Sequence, residues 1–245
     1  MTQQADVLLL AGSAEARQIA QALQGLGHRV HALLSEPPRG ANPMPVPFEV
    51  CAEVTEDRVA QAMAGVSAVI DASHGFDAAL THAGYAAAIR LVRPFISLSR
   101  PTWDLGENPN WVSAATVRAA MTLIAPGARV FSATGWASLP ECAAFPGACL
   151  MLRQTVPHDR PAPYDFVELV FGDPPFTVET EVALFKARKV DTLIARNLGG
   201  KPSRPKLDAA AALGLRVILI DRPPLPPGLK VVSSVQDALD WVAQL

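Results

Sequence analysis

The chain has 245 residues and carries 21 lysines and arginines against 23 aspartates and glutamates, a formal net charge of −2 at pH 7. Hydrophobic residues make up 50% and charged residues 18%, which supplies a sizeable core and excludes a disordered chain. The slightly acidic balance argues against a nucleic-acid-binding protein that relies on a global positive charge.

The first predicted unit is a strand buried on both faces at Val7–Leu10, followed by a glycine turn and a helix. Gly12 permits a tight turn, Ser13 is a good N-cap, and apolar residues then recur at helical spacing until Gly27. Such a helix start favours a phosphate, because its free N–H groups and its dipole converge there. Since the dinucleotide fingerprint has three glycines and this turn has one, an ordinary strand–helix unit explains the pattern about equally well.

The second predicted strand, Val30–Leu34, leads into a proline-rich loop. In Rossmann-like folds the end of this strand faces the adenosine ribose of a bound dinucleotide. Ser35 and Arg39 lie there, and a hydroxyl and a guanidinium would suit a 2′-phosphate, whereas Glu36 would suit a free ribose hydroxyl. A solvated loop without a ligand is the alternative.

The rest of the first half alternates strands with helices. Strands are predicted at 46–50, 66–70 and 94–98, and helices after Thr55, at 78–91 and at 113–125. The turn Asp71-Ala72-Ser73-His74 follows a strand, so we expect its polar side chains to point into the ligand crevice of an open α/β sheet. Arg100 follows the next strand and could bind a carboxylate or phosphate through two hydrogen bonds, although a surface pair with Trp103 would also explain it.

A second strand–glycine–helix pattern begins at Arg129 and contains Thr134 and Gly135. It places a domain boundary at Pro126–Gly127, dividing the chain into residues 1–126 and 127–245. The later elements are extended segments at 149–156 and 166–171, a helix at 176–189, strands at 192–195 and 216–220, and helices at 206–213 and 233–245, the last capped by Ser233 with Gln236. This alternation predicts an α/β protein of two Rossmann-like parallel-sheet domains, with the functional site in the cleft between them.

Basic residues are concentrated near the second glycine loop. Between Lys186 and Lys206 there are seven basic residues and a single acid, Asp191. The loop Arg196-Asn197-Leu198-Gly199-Gly200-Lys201 follows a strand, where glycines let a ligand approach the backbone and cations suit a phosphate or polycarboxylate. A solvated basic face is the alternative.

Familiar catalytic and targeting patterns do not stand out. Asp71, Ser73 and His74 are the residue types of a hydrolase triad, but neighbours in one turn do not give its geometry. Glycine turns and cations without an obvious nucleophile fit chemistry carried by a cofactor. The first residues do not resemble a signal peptide, and the three cysteines are widely spaced, so we expect a cytoplasmic protein without a membrane anchor, disulfide framework or metal site.

Several of these motifs together resemble one known family, the precorrin-6A reductases of cobalamin biosynthesis (CobK/CbiJ). The motifs are Ala11-Gly12-Ser13-Ala14-Glu15-Ala16-Arg17, Asp71-Ala72-Ser73-His74, Arg100-Pro101-Thr102-Trp103, Thr134-Gly135, Asp221-Arg222-Pro223, and the segment from Asp191 through Gly199-Gly200 to Lys206-Leu207-Asp208-Ala209-Ala210. The resemblance implies an NADPH-dependent reduction of one macrocycle double bond of precorrin-6A, giving precorrin-6B. It also implies a cleft between two Rossmann-like domains and an enzyme without metal or flavin.

The residues and the resemblance together lead to a hypothesis for individual roles. Gly12, Ser13, Ala14 and Arg17 would hold the cofactor's phosphates, Ser35 and Arg39 would face the 2′-phosphate, and Ser73, His74 and Arg100 would line the nicotinamide end, with Glu15, Thr134 and Gly135 as further cofactor-binding residues. Substrate binding is assigned to Arg196, Asn197, Gly199, Gly200, Lys201 and Lys206, whose cations would meet either the acetate and propionate arms of the ring or a phosphate of the cofactor. His74 is the candidate proton donor, because histidine exchanges protons near neutral pH, with solvent or the substrate's own acids as the alternatives.

The chain differs from the family's motifs at two places, and two other functions remain as alternatives. The family's glycine-rich loop carries hydroxyls where this chain has Ala195 and Leu198, and the proline that often follows the turn histidine is replaced by Gly75. A non-catalytic NADP-binding sensor, or a two-domain transferase of nucleotide-linked sugars, would share the architecture. We expect a monomer or small homo-oligomer with a small-molecule partner and no nucleic acid.

Overall fold

The computed structural model describes residues 4–38 and 43–245 and divides into two compact units. The first unit contains the described residues up to Pro101 together with Pro223–Leu245, and the second contains Thr102–Arg222.

Strands and helices alternate along most of the described chain. The strands are β1 (Asp6–Ala11), β2 (Arg29–Leu34), β3 (Phe48–Val50), β4 (Ala68–Ala72), β5 (Phe95–Leu98), β6 (Trp111–Ala114), β7 (Arg129–Ala133), β8 (Cys149–Gln154), β9 (Val167–Phe171), β10 (Thr192–Arg196), β11 (Arg216–Ile220) and β12 (Val231–Val232). The helices are α1 (Ala14–Gly25), α2 (Glu56–Ala62), α3 (Ala78–Arg90), α4 (Val117–Met121), α5 (Val178–Ala187), α6 (Pro205–Ala212) and α7 (Val235–Val242), with 3₁₀ helices at Leu105–Glu107 and Trp136–Cys142.

The first unit is a parallel sheet in the order β12-β5-β4-β1-β2-β3, covered by helices on both faces. Leu9 packs into the cluster that contains the buried residues of α1 and α7, whereas Leu8 and Leu10 pack into the cluster that contains those of α2 and α3. A central strand buried on both faces needs an unbroken apolar run, which is why β1 reads as one.

The second unit is also a parallel sheet, in the order β6-β11-β10-β7-β8-β9. On one face Phe131, Leu193 and Leu219 pack with Phe185 of α5 and Leu207 of α6. Together the two sheets confirm the predicted fold class.

Two local predictions differ from the structure in their bounds. The helix expected at 113–125 is shorter: Ser113 and Ala114 belong to the strand β6, which pairs with β11, and α4 covers only Val117–Met121 with Thr116 as its N-cap. The capping box of α7 lies one residue later than predicted, at Ser234 and Asp237. Asp237 accepts N–H bonds from both Ser233 and Ser234, which the amide Gln236 at the predicted position does not do.

The predicted domain boundary at Pro126–Gly127 is also wrong. Strand β6 lies before that boundary yet belongs to the second sheet, and β12 and α7 lie after it yet belong to the first unit. Val231 of β12 pairs with Ser97 of β5, so a distant segment completes the first sheet. Among the described helices, none is long and apolar enough to cross a membrane.

Candidate functional site

The β1–α1 turn and the β4–α3 turn meet at the carboxyl edge of the first sheet. A Cβ atom on residue 12 would lie 2.6 Å from the backbone nitrogen of His74, which is too close, and this explains why position 12 is a glycine. Ser13 joins the same two turns: its hydroxyl donates to the carbonyl oxygen of Ala72 at 2.8 Å and accepts the N–H of Ala16 at 3.1 Å. Gly12 is therefore required by the close approach of another backbone rather than by a left-handed φ.

The start of α1 combines the backbone N–H groups of a helix N-terminus with a neutralised acid. Ala14 is the exposed first residue of this 12-residue helix, and the half-buried Arg17 follows in the same turn. Glu15 accepts a 2.8 Å hydrogen bond from Arg100, so the charge of its carboxylate is balanced at the helix start. The second carboxylate oxygen of Glu15 is buried and has no hydrogen-bond partner among the residues that the structure describes.

These features fit a dinucleotide. The helix N-terminus suits a pyrophosphate, and the glycine lets it approach the backbone. The orphaned oxygen of Glu15 can accept a hydrogen bond from a ribose hydroxyl. The structure thus brings together Glu15 and Arg100, which are 85 positions apart in the chain.

Asp71 points into the protein and not into the crevice as the sequence suggested. It is 2% exposed and accepts hydrogen bonds from the Ser73 backbone N–H at 3.0 Å and from the hydroxyls of Thr81 and Ser97 at 2.8 Å each. The Ser73 hydroxyl lies 3.2 Å from that of Thr81 and is buried with it. This network holds the end of β4 against β5 and α3, because a buried carboxylate must be satisfied by several donors.

His74 remains at the edge of the sheet, half-buried. Its Nδ1 accepts the backbone N–H of Phe76 at 3.2 Å, so the neutral ring carries its hydrogen on Nε2. The atom of His74 that can donate is therefore Nε2.

Ser35 has a partner that the sequence did not indicate. Its hydroxyl donates to one carboxylate oxygen of Asp77, whose other oxygen caps α3 by accepting the N–H of Leu80 at 3.2 Å. A 2′-phosphate at Ser35 would have to displace this contact or use another donor. Arg39, predicted to share the phosphate, lies outside the described residues.

In the second unit, Thr134 is fully buried within a chain of hydroxyl groups. Its Oγ1 lies 2.8 Å from Ser132 Oγ and 2.6 Å from Ser138 Oγ, which donates to the carbonyl oxygen of Gly135 at 2.7 Å. Gly135 itself has φ of +84°, which an L side chain rarely adopts. Thr134 thus shapes the turn from within, and only Gly135 of the pair stays partly exposed at the edge.

Asn197 likewise supports the backbone. Its side-chain amide accepts the N–H of Trp103 at 2.9 Å and donates to the Trp103 carbonyl at 3.2 Å, and the residue is 5% exposed. The guanidinium of Arg222 donates to the carbonyls of Asn197 and Leu198. Because its amide is occupied by these two bonds, Asn197 holds the loop in place, and its contact with substrate stays a prediction.

The glycines after Asn197 adopt backbone conformations that suit glycine. Gly199 has φ of +63° and Gly200 of +73°, both in the left-handed region. Arg196 before them is half-buried and Lys201 after them is exposed. The predicted cations therefore flank a loop at the carboxyl end of β10.

Lys206 belongs to a buried group of charges. Its Nζ donates to the carbonyl of Ser203 at 2.6 Å, and burial lowers the pKa of Lys206 to about 8, with Arg153 acting in the same direction and Glu181 against it. Glu181, 2% exposed, accepts a 2.7 Å hydrogen bond from Arg153, and burial raises its pKa despite that cation. The Arg153 guanidinium lies 4.0 Å from the ring centroid of Phe176. Two cations face one acid, so this group is short of one negative charge.

Sequence reasoning missed Arg153 and Glu181. Each is a charged residue at a position where its element turns inward, Arg153 in the apolar strand β8 and Glu181 between Val178 and Val182 of α5. A buried charge within an apolar pattern is the signal that could have identified them. Among the described residues, no group of three or more histidines, cysteines, aspartates or glutamates is placed to hold a metal ion.

Comparisons with known proteins converge on one group. Residues 6–243 match a family described as precorrin-6x reductase CbiJ/CobK. The precorrin-6A reductase of Mycobacterium tuberculosis is 36% identical over 243 residues, covering 98% of each chain, and that of Rhodococcus erythropolis is 34% identical over 244 residues with the same coverage. A solved structure titled CobK precorrin-6A reductase matches with a TM-score of 0.88 and 28% identity, covering 98% of this chain and 97% of that chain.

Proposed function

This chain belongs to the CbiJ/CobK family of precorrin-6x reductases, and we propose that it reduces precorrin-6A to precorrin-6B with NADPH as the hydride donor. The full-length match to named precorrin-6A reductases is the observation that carries the proposal. A reductase of this family implies a nicotinamide cofactor, and the β1–α1 turn has the features that such a cofactor needs. We further propose that the enzyme works in the cytoplasm as a monomer or small homo-oligomer.

The cofactor's pyrophosphate is assigned to the start of α1. Gly12 leaves room for it, Ser13 holds the two turns together, and Ala14 presents a backbone N–H. Arg17 adds a cation in the same turn. Glu15 accepts from a ribose hydroxyl while Arg100 neutralises its charge.

The preference for NADPH over NADH rests on Arg39 and Ser35 at the end of β2. Asp77, which holds the Ser35 hydroxyl, would repel a 2′-phosphate unless a cation lies near. Arg39 is the residue that we assign to that task.

The substrate's acidic arms are assigned to the basic residues of the second unit. Arg196 and Lys201 flank the left-handed glycines, and Lys206 belongs to a group with an excess of positive charge. Carboxylates are the ligands that such cations favour.

When bound, the reduced nicotinamide supplies a hydride to one carbon of a conjugated double bond of the macrocycle, and a proton is needed at the neighbouring carbon. His74 is the residue that we assign to the proton, which its imidazolium form would donate from Nε2; the neutral ring that accepts the Phe76 N–H at Nδ1 must first take up a proton. Ser73 is buried beside it and positions the turn.

The proposal is tested by following NADPH oxidation with precorrin-6A. We expect turnover that depends on both compounds, together with formation of precorrin-6B. Binding of NADPH without turnover would instead support a non-catalytic sensor, and binding of a UDP-sugar without NADPH would support a transferase.

The cofactor preference is tested with Arg39→Ala, using Arg93→Ala on the exposed surface of the same unit as the control. We expect Arg39→Ala to raise the Kd for NADPH about tenfold or more while leaving NADH unchanged, because one charge-assisted contact is worth about 1.5–3 kcal/mol. Equal losses for both cofactors would remove Arg39 from the 2′-phosphate site.

The role of His74 is tested with His74→Ala and His74→Gln over a range of pH. An obligatory proton donor predicts a loss of 100-fold or more in kcat for both variants, in the range of general acid catalysis. If His74→Gln retains most of the turnover, His74 acts as a hydrogen-bond donor, and full turnover of His74→Ala at every pH would rule out either role.

A further inference from the structure

Three rings lie together at the carboxyl ends of three neighbouring strands of the second sheet. His158 packs edge-on against Trp136, with ring centroids 4.9 Å apart, and against Phe171, at 5.5 Å. Trp136 follows β7, His158 follows β8 and Phe171 ends β9, and these strands are adjacent in the order of the sheet. We call Trp136, His158 and Phe171 the ring cluster.

Beside the ring cluster lies the side chain of Gln154, whose amide NH₂ group has no hydrogen-bond partner among the described residues. The backbone N–H of Arg160 donates to Nδ1 of His158 at 3.2 Å, so the hydrogen of the neutral ring is on Nε2. That hydrogen is donated to the amide oxygen of Gln154, 3.3 Å away, which fixes the orientation of the amide. Gln154 is 8% exposed, and its Nε2 has no hydrogen-bond partner among the residues that the structure describes. Such buried donors normally have an acceptor, and one supplied by a ligand or water would complete this group.

The rings themselves are only partly covered. Phe171 is 46% exposed, while Trp136 and His158 are half-buried, so the cluster is not part of the core. The guanidinium of Arg160 lies 5.9 Å from the centroid of the Trp136 ring and adds a positive charge beside it. Partly exposed rings, a cation and a buried amide donor therefore lie at the carboxyl edge of a parallel sheet, which is where open α/β sheets bind ligands.

We propose that the ring cluster and the Gln154 amide form a subsite for the precorrin-6A macrocycle, an inference that rests on the proposed function. The rings contact the conjugated, apolar part of the substrate, and the Gln154 amide donates to one of its carboxylate arms. The combination matches a molecule that carries both a broad π-surface and acids, which neither apolar packing nor a cation alone would recognise. Arg160 contributes charge attraction to the same arms.

A matched pair of phenylalanine variants tests the ring contact. Phe171→Leu removes a ring that is 46% exposed, and Phe48→Leu removes one that is 43% exposed, in strand β3 of the first unit and not among the residues assigned to substrate binding. We expect Phe171→Leu to raise the KM for precorrin-6A about fivefold, a loss in the range of one aromatic contact, with the Kd for NADPH unchanged. Phe48→Leu should change neither. Equal KM values for the two variants would overturn the ring contact.

Gln154→Glu tests the amide. This variant keeps an oxygen that accepts from His158 and replaces the unused NH₂ by a carboxylate oxygen. We expect the Kd for precorrin-6A, measured by equilibrium dialysis through the absorbance of the macrocycle, to rise tenfold or more, with the NADPH Kd and Tm as controls. An unchanged Kd for precorrin-6A would exclude Gln154 from the subsite. If the wild-type enzyme neither binds nor reduces precorrin-6A, the proposed function fails; if it does so and the variants match it, only this subsite fails.

Discussion

Alanine at position 12 is a small change with a large expected effect. The added Cβ atom would lie 2.6 Å from the backbone nitrogen of His74, and the His74 turn must retreat by about 0.8 Å to restore an ordinary contact of 3.4 Å. That movement stretches the 2.8 Å hydrogen bond from Ser13 to Ala72, which joins the same two turns. Overpacking of this kind costs about 1–3 kcal/mol, which corresponds to a fall in Tm of roughly 2–12 °C for a chain of this size.

The variant is measured by thermal unfolding and by titration with NADPH. Because both turns belong to the proposed cofactor site, we expect Gly12→Ala to raise the Kd for NADPH at least tenfold in addition to lowering the Tm. Gly25→Ala is the matched control: it changes a glycine of the same helix, where an added Cβ atom would have no neighbour within 4 Å. That control should be neutral or slightly stabilising, since alanine has the higher helix propensity.

Two results would refute this reasoning. If Gly12→Ala melts at the wild-type temperature, the backbone of His74 does not approach residue 12 as closely as the structure has it. If it melts early but binds NADPH normally, the turn is structural and the pyrophosphate lies elsewhere.

Three further predictions concern buried polar groups. Asp71→Asn replaces one oxygen of a carboxylate that accepts three hydrogen bonds by an NH₂ group, which cannot accept. We expect urea denaturation to show that the free energy of unfolding falls by about 1–3 kcal/mol. An unchanged denaturation midpoint would mean that the carboxylate is not needed. Asn197→Ala removes the partners of the backbone N–H and carbonyl of Trp103 and should lower the free energy of unfolding by about 2–4 kcal/mol. A wild-type Tm would show that these two hydrogen bonds do not stabilise the loop. In the wild-type enzyme the KM for precorrin-6A should rise as the pH increases through about 8, the pKa of Lys206, because the ammonium group loses its proton. Lys206→Met should abolish this rise, and a flat wild-type profile would exclude Lys206 from substrate binding.

The helix cap and the glycine loop of the candidate site could be predicted, because each depends on residues that are neighbours in the sequence. Ser13 caps α1 as its position before an apolar helical pattern indicated, and the left-handed Gly199 and Gly200 follow β10 as the loop sequence indicated. The same reasoning did not predict the surroundings of Thr134 and Asn197. Both lie in the predicted turns, but nothing in the local sequence shows that one faces a chain of hydroxyls and the other faces Trp103.

The sequence by itself determined the α/β class, the parallel sheets, most element bounds and the family. Apolar runs, helix caps and motifs each consist of residues that are close together in the sequence, so they can be recognised without the structure. Only the tertiary structure decided that β12 completes the first sheet, that Gly12 meets His74, and that Lys206 shares its surroundings with Arg153 and Glu181. Each of these contacts joins residues far apart in the chain. Strand pairing and the burial of charges are settled by the packing of the whole unit, which no local pattern records.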